Sequence, residues 1–193
     1  MIIAKKKTLM KIYKSKLPEK SALNVKKNTF NFIDSFEGLY IDKNISITST
    51  DIGKAFFASC PKWVEKLFLL RNKIAALFGL KISGSVAEMK KKLETFNCRY
   101  GEQLGLFRVY VKSKYEVVLG EDDKHLNFRV SLFSDKQLKE NSFRKLTITT
   151  TVEFNNWFGR LYFLPVRLFH KLIVPTMLKG IIVELQNRKN ENI

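Results

Sequence analysis

This chain gives catalytic chemistry few places to start. It has two histidines and two cysteines, and its acidic residues number about half its basic ones, 18 against 35. Two histidines without clustered carboxylates do not assemble a metal centre, so neither a metal nor a cofactor is expected. Cys60 and Cys98 have no neighbour at metal-ligand spacing and read as ordinary thiols of a reducing compartment. There is no GxSxG elbow, no Ser-His-Asp or Cys-His order and no glycine-rich phosphate loop. No uncharged apolar run reaches the roughly 18 residues that span a bilayer. The nearest, Leu161–Leu185, is interrupted by Arg167, His170, Lys171 and Lys179. Met1–Ala4 runs straight into Lys5-Lys6-Lys7 and lacks the apolar core of a signal peptide. These absences point to a soluble cytoplasmic protein, with peripheral membrane contact left open.

What is present is apolar mass and positive charge. The 193 residues suit one domain, and 45% hydrophobic content with 16 Phe suffices for a core. The formal charge is +17; the first 28 residues hold nine Lys and one Glu, so they carry about half of it. Three readings of this charge stand: a solvated basic surface, contact with anionic lipid, or nucleic-acid binding. Nucleic acid is disfavoured, because no zinc knuckle, aromatic RNA-recognition signature or GxxG clamp is found. Residues 1–28 read as a flexible basic leader, 29–187 as the folded domain and 188–193 as a polar tail.

Periodicity organises the domain. Phe30 and Phe32 share one face of a short strand within Thr29–Ile41, with Asp34 between Phe32 and Phe36 and a turn or bulge at Glu37-Gly38. Ser49 or Thr50 is placed to cap a helix carrying Ile52, Ala55, Phe56 and Phe57. Pro61 opens a second helix, Lys62–Phe78, with the stripe Trp63, Leu67, Leu70, Ile74 and Leu77; Gly79 is placed to end it. Ser85 and Glu88 have capping-box spacing at the start of a third, Val86–Phe96. Period-2 alternation predicts strands at Leu106–Lys112, Tyr115–Leu119, Leu126–Phe133, Phe143–Phe154 and Trp157–Phe163, each with one buried and one wet face. Gly120–Asp123 and Asn155-Asn156 read as turns. The spacings are too short for helical crossovers, so the sheet should be antiparallel. A terminal amphipathic helix runs from near Pro165 past Ile182, with a kink or break expected at Pro175. The fold class is α+β: a helix-grip arrangement of an antiparallel sheet wrapped around a long C-terminal helix, with additional N-terminal helices.

Particular motifs carry a resemblance. They are Leu70-Arg71-Asn72 with Phe78-Gly79-Leu80, then Phe158-Gly159-Arg160-Leu161-Tyr162-Phe163-Leu164-Pro165-Val166, Phe169-His170 and Ile173-Val174-Pro175. Over about residues 28–185 the chain resembles the bacterial domain of unknown function 2867 family, of the START/Bet v 1-like (SRPBCC) helix-grip superfamily. The family carries no assigned activity. The superfamily implies a hydrophobic cavity for lipids, polyketides or similar apolar molecules; some members are cyclases or hydrolases.

The expected function is therefore binding of a small hydrophobic or amphipathic, lipid- or polyketide-like molecule between sheet and C-terminal helix. Its walls would be Phe128, Val130, Ile148, Thr150, Val152, Phe169, Ile173 and Met177, with His170 and Thr150 as polar contacts. His170 is also the candidate acid/base of an alternative, a cyclase- or dehydratase-type enzyme. A further alternative is a peripheral membrane protein docking through its Lys-rich surface, with an anionic membrane as partner.

Overall fold

The computed structural model describes residues 11–42, 47–77, 86–135 and 142–190. Gly79, Ser85, Lys5–Lys7 and the end of the polar tail lie outside these, as do the side chains of Ile74 and Leu77. The strands are β1 (Ile12–Ser15), β2 (Phe32–Ile41), β3 (Gln103–Leu104), β4 (Phe107–Lys112), β5 (Glu116–Asp122), β6 (Leu126–Ser134) and β7 (Phe143–Phe154). The helices are α1 (Ser49–Ala58), α2 (Lys62–Leu77), α3 (Val86–Thr95) and α4 (Trp157–Asn190). All neighbouring strands pair antiparallel, in the order β1-β2-β7-β6-β5-β4-β3. This is the expected α+β helix-grip arrangement: one sheet, a long C-terminal helix across it, and further helices packed beside that helix.

Register assigns the faces. Asp34 lies opposite Thr150, Thr150 opposite Val130, and Val130 opposite Leu119; directly opposed residues share a face. The next rung on that face is Phe36, Ile148, Leu132 and Val117. These meet Val174, Met177, Leu178, Ile181 and Ile182 of α4, together with Ile52, Ala55 and Phe56 of α1, in one buried core. Thr48 caps α1: its hydroxyl accepts from the Asp51 N–H while the Asp51 carboxylate accepts from the Thr48 N–H, satisfying two otherwise orphaned donors.

Several expectations give way. Trp157–Phe163 is the first two turns of α4 and not a strand, because the Asn156 side chain accepts from the Gly159 N–H at 3.1 Å and caps a helix there. Gly159 is needed at that point: a Cβ would lie 2.1 Å from the His125 carbonyl oxygen, where the helix crosses the β5–β6 turn. Pro175 does not break α4, which continues to Asn190; nearby, Thr176 Oγ1 donates to the Leu172 carbonyl at 2.7 Å. β2 runs unbroken through Glu37-Gly38, paired along its length with β7. Gly120 and Glu121 belong to β5, leaving the turn to Asp123–His125. The outward stripe of α2 is also apolar: Trp63 and Leu70 are exposed, and among its described side chains Val64 is the one fully buried.

Residues 11–28, expected as flexible leader, join the fold. β1 extends the sheet beside β2, and Leu17 and Leu23 pack on Val118 across the face away from α4. The carboxylate of buried Glu116 accepts from Ser21 Oγ (2.5 Å), Ser131 Oγ (2.5 Å) and the Ala22 N–H (2.8 Å). That face, expected to be wet, therefore buries Thr147, Thr149 and Thr151 under this strap. Among the described residues, no helix is long and apolar enough to cross a membrane.

Candidate functional site

Two places in the molecule have the character of a site. The first is an apolar cavity of about 110 Å³ at the β3–β4 end of the sheet. Phe56, Phe57 and Cys60 come from α1 and its C-terminal edge; Glu65, Phe68, Leu69 and Asn72 from α2; Met89, Lys90 and Leu93 from α3. Leu104, Leu106 and Phe107 form the sheet side, and Met177 of α4 closes the wall. Phe107 is the hub: its ring meets Phe56 (5.4 Å), Phe57 (5.6 Å), Phe68 (6.3 Å) and Phe128 (5.7 Å), all edge-on. Edge-to-face contact is a favoured arrangement of aromatic rings, each pair contributing about 0.5–1.5 kcal/mol beyond its burial, so these rings fix the cavity wall. Burial, with Glu65 adding to it, pushes the Cys60 thiol up to about 11, so it lines the cavity as a neutral thiol and not a nucleophile.

The second place is polar and lies nearer the other edge of the sheet. His170 Nδ1 is 3.6 Å from Asp34 Oδ2, and Thr150 stands opposite Asp34 in the β2–β7 register. Asp34 Oδ2, Thr150 Oγ1 and His170 Nδ1 are all buried, and none has a hydrogen-bond partner among the described residues. Phe32 meets His170 edge-on at 5.8 Å and Phe163 at 4.9 Å, forming an apolar wall. The exposed Lys14 ammonium reaches the other carboxylate oxygen of Asp34 at 3.6 Å. Burial lowers the pKa of His170 below its usual 6.5, outweighing the pull of Asp34. The imidazole is therefore neutral at neutral pH, the form that accepts a proton or a hydrogen bond.

The nine residues expected to line the site divide between these places and the core. Met177 lines the cavity, and Phe128 reaches it through Phe107. Val130 and Ile148 are core, Ile173 packs half-buried against it, and Val152 is buried opposite Phe32. Thr150 and His170 each face Asp34 in the polar cluster, whereas Phe169 is 47% exposed. The residue that sequence reasoning passed over is Asp34. Its signal was legible: a carboxylate at the same strand parity as Phe32 and Phe36, on the face expected to be buried, requires a reason.

An antiparallel sheet gripping a long helix, with an aromatic cavity at one end and no metal-competent cluster of His, Cys, Asp or Glu among the described residues, defines an α+β helix-grip protein with an apolar pocket at one end of its sheet. Within that class the chain belongs to the family described as "Protein of unknown function (DUF2867)", which it matches over residues 27–177. The match spans β2–β7 and α1–α3 and ends at Met177, so the strap before residue 27 lies outside it. No curated protein matches the chain.

Proposed function

We propose that the protein binds a small hydrophobic or amphipathic molecule in the cavity between α1–α3, β3–β4 and Met177. The observation that carries this is the cavity itself, an aromatic-lined space of about 110 Å³ at the β3–β4 end of the sheet. An engineered apolar cavity of about 150 Å³ admits benzene, so the enclosed part of a ligand here is about the size of one ring or a short alkyl segment. Lys90, Asn72 and Glu65 line the same space and supply polar contacts for the rest of an amphipathic molecule. A ceiling of about 1.5 kcal/mol per non-hydrogen atom limits a six-atom ring to about 9 kcal/mol, so affinity for such a fragment is submicromolar at best. The helix-grip topology also supports placing the chain in the START/Bet v 1-like superfamily.

Native mass spectrometry of freshly purified protein, with a denatured control, tests the reading: a co-purified mass should leave on denaturation. Leu93→Phe should then abolish uptake by filling the cavity while raising stability by about 0.5–1 kcal/mol. Unchanged ligand loading in that variant would place the ligand elsewhere.

A second reading, acid–base catalysis of the cyclase or dehydratase type, rests on one observation. The neutral imidazole of His170 faces a buried carboxylate, Asp34, at 3.6 Å, a separation that has to close to a hydrogen bond for the carboxylate to orient a histidine base. In that case His170→Ala would leave loading of the aromatic cavity unchanged and abolish conversion of a compound bound beside Asp34 and Thr150; undiminished conversion would remove His170 from the reaction.

A further inference from the structure

The outward face of α4 is apolar as well as its inward face. Phe163, Val174, Met177 and Leu178 are buried beneath the helix. On the opposite side Trp157, Leu161, Leu164, Leu168 and Leu172 follow at spacings of four, three, four and four, and are 54–73% exposed. At 3.6 residues per turn these five occupy an arc of about 80°. Arg160, Arg167 and Lys171 run along one flank of that arc, all exposed, and no Asp or Glu occurs from Trp157 to Val183. α2 turns Trp63 and Leu70 outward among exposed Lys62, Lys66 and Lys73. Arg71 Nε donates to Tyr162 Oη at 2.9 Å and ties α2 to this half of α4.

Isolated surface leucines need no explanation, but a continuous stripe of them marks a contact surface. Charge selects what it contacts. A second copy carries the same +17 and the same cationic flank, so the two faces would repel. Nucleic acid would satisfy the cations but leaves aliphatic side chains in water. An anionic bilayer satisfies both, taking leucines into the acyl boundary, tryptophan at headgroup depth and Arg and Lys against phosphates. We propose that the outward face of α4, extended by Trp63 and Leu70 of α2, docks the protein on an anionic lipid bilayer. The inference is independent of the cavity: a protein with a filled cavity should dock equally well.

The test is flotation of the full chain with phosphatidylcholine vesicles, with and without about 30 mol% phosphatidylglycerol. Trp63 and Trp157 are the two tryptophans of the chain and both lie on the proposed face, so their emission should shift to the blue on docking. Binding should be roughly tenfold or more stronger to the anionic vesicles and should weaken as salt rises from about 0.1 M to about 0.5 M. Leu164→Asp with Leu168→Asp should cut it by about tenfold or more at unchanged circular dichroism and Tm, whereas Leu93→Phe should leave it intact. Four results would overturn the proposal. One is absence of anionic preference, and another is equal binding by the double variant. A third is loss of binding only when Lys5, Lys6 and Lys7 are changed to Gln. The last is a dimer in solution that the double variant dissociates, without vesicle binding.

Discussion

Acidification should cost this protein stability through His170. Its folded pKa lies below the usual 6.5 because burial penalises the imidazolium. Asp34 at 3.6 Å opposes that shift, but its charge is shared with Lys14. As pH falls through 6.5 the unfolded chain takes up a proton that the folded chain refuses, so stability falls with falling pH and the contribution levels off below the folded pKa. The slope is at most about 1.4 kcal/mol per pH unit. From about pH 7 to about pH 5.5 the loss is at most about 1.3 kcal/mol, the limit for an imidazole that takes up no proton in the fold. For a chain of this length that limit is a fall in Tm of about 3–5 °C. Urea denaturation of the wild type and His170→Asn across this range isolates the effect, because the other groups titrate in both. The difference between the two curves should follow the sign and size above. Parallel curves would show that His170 titrates normally. A wild type that gains stability relative to the variant on acidification would show that the imidazolium pairs with Asp34 strongly enough to overcome burial, and would refute the reasoning.

Further predictions follow from named contacts. Gly159→Ala drives a methyl into the His125 carbonyl and should destabilise by about 2–3 kcal/mol, read by urea denaturation. Glu116→Ala removes the acceptor of Ser21, Ala22 and Ser131; it should cost about 1–3 kcal/mol and open the strap to trypsin at Lys20 at a rate at least several-fold above wild type. Asp42→Ala leaves Arg144, buried and bonded to it at 2.8 Å, without its carboxylate, and should cost about 3–5 kcal/mol by the same denaturation assay.

The sheet was legible because its strands alternate cleanly: Leu146, Ile148, Thr150 and Val152 point to the helix, and the residues between them point away. The N-terminus of α4 was not, because Trp157–Phe163 is a short apolar run that fits both a strand and a helix; the asparagine cap before it was the discriminating signal. α2 was legible as a helix but not in its facing: its sequence is apolar on two faces, so periodicity could not say whether Val64 or Trp63 turns inward. The strap was read as leader because Leu17 and Leu23 are sparse among lysines; its anchor, Glu116, is nearly a hundred residues away. The cavity lies beside the expected site because core and pocket walls share a composition, and only packing shows where the phenylalanines fail to fill space.

The most direct measurement of ligand binding uses the methionines. The chain has four, Met1, Met10, Met89 and Met177, and the last two line the cavity. With ¹³C-methyl-methionine labelling, titration with benzene should shift the Met89 and Met177 resonances saturably and fail to do so in Leu93→Phe. Absence of a saturable shift at Met89 and Met177, or an equal shift in Leu93→Phe, would contradict an apolar binding cavity at this place.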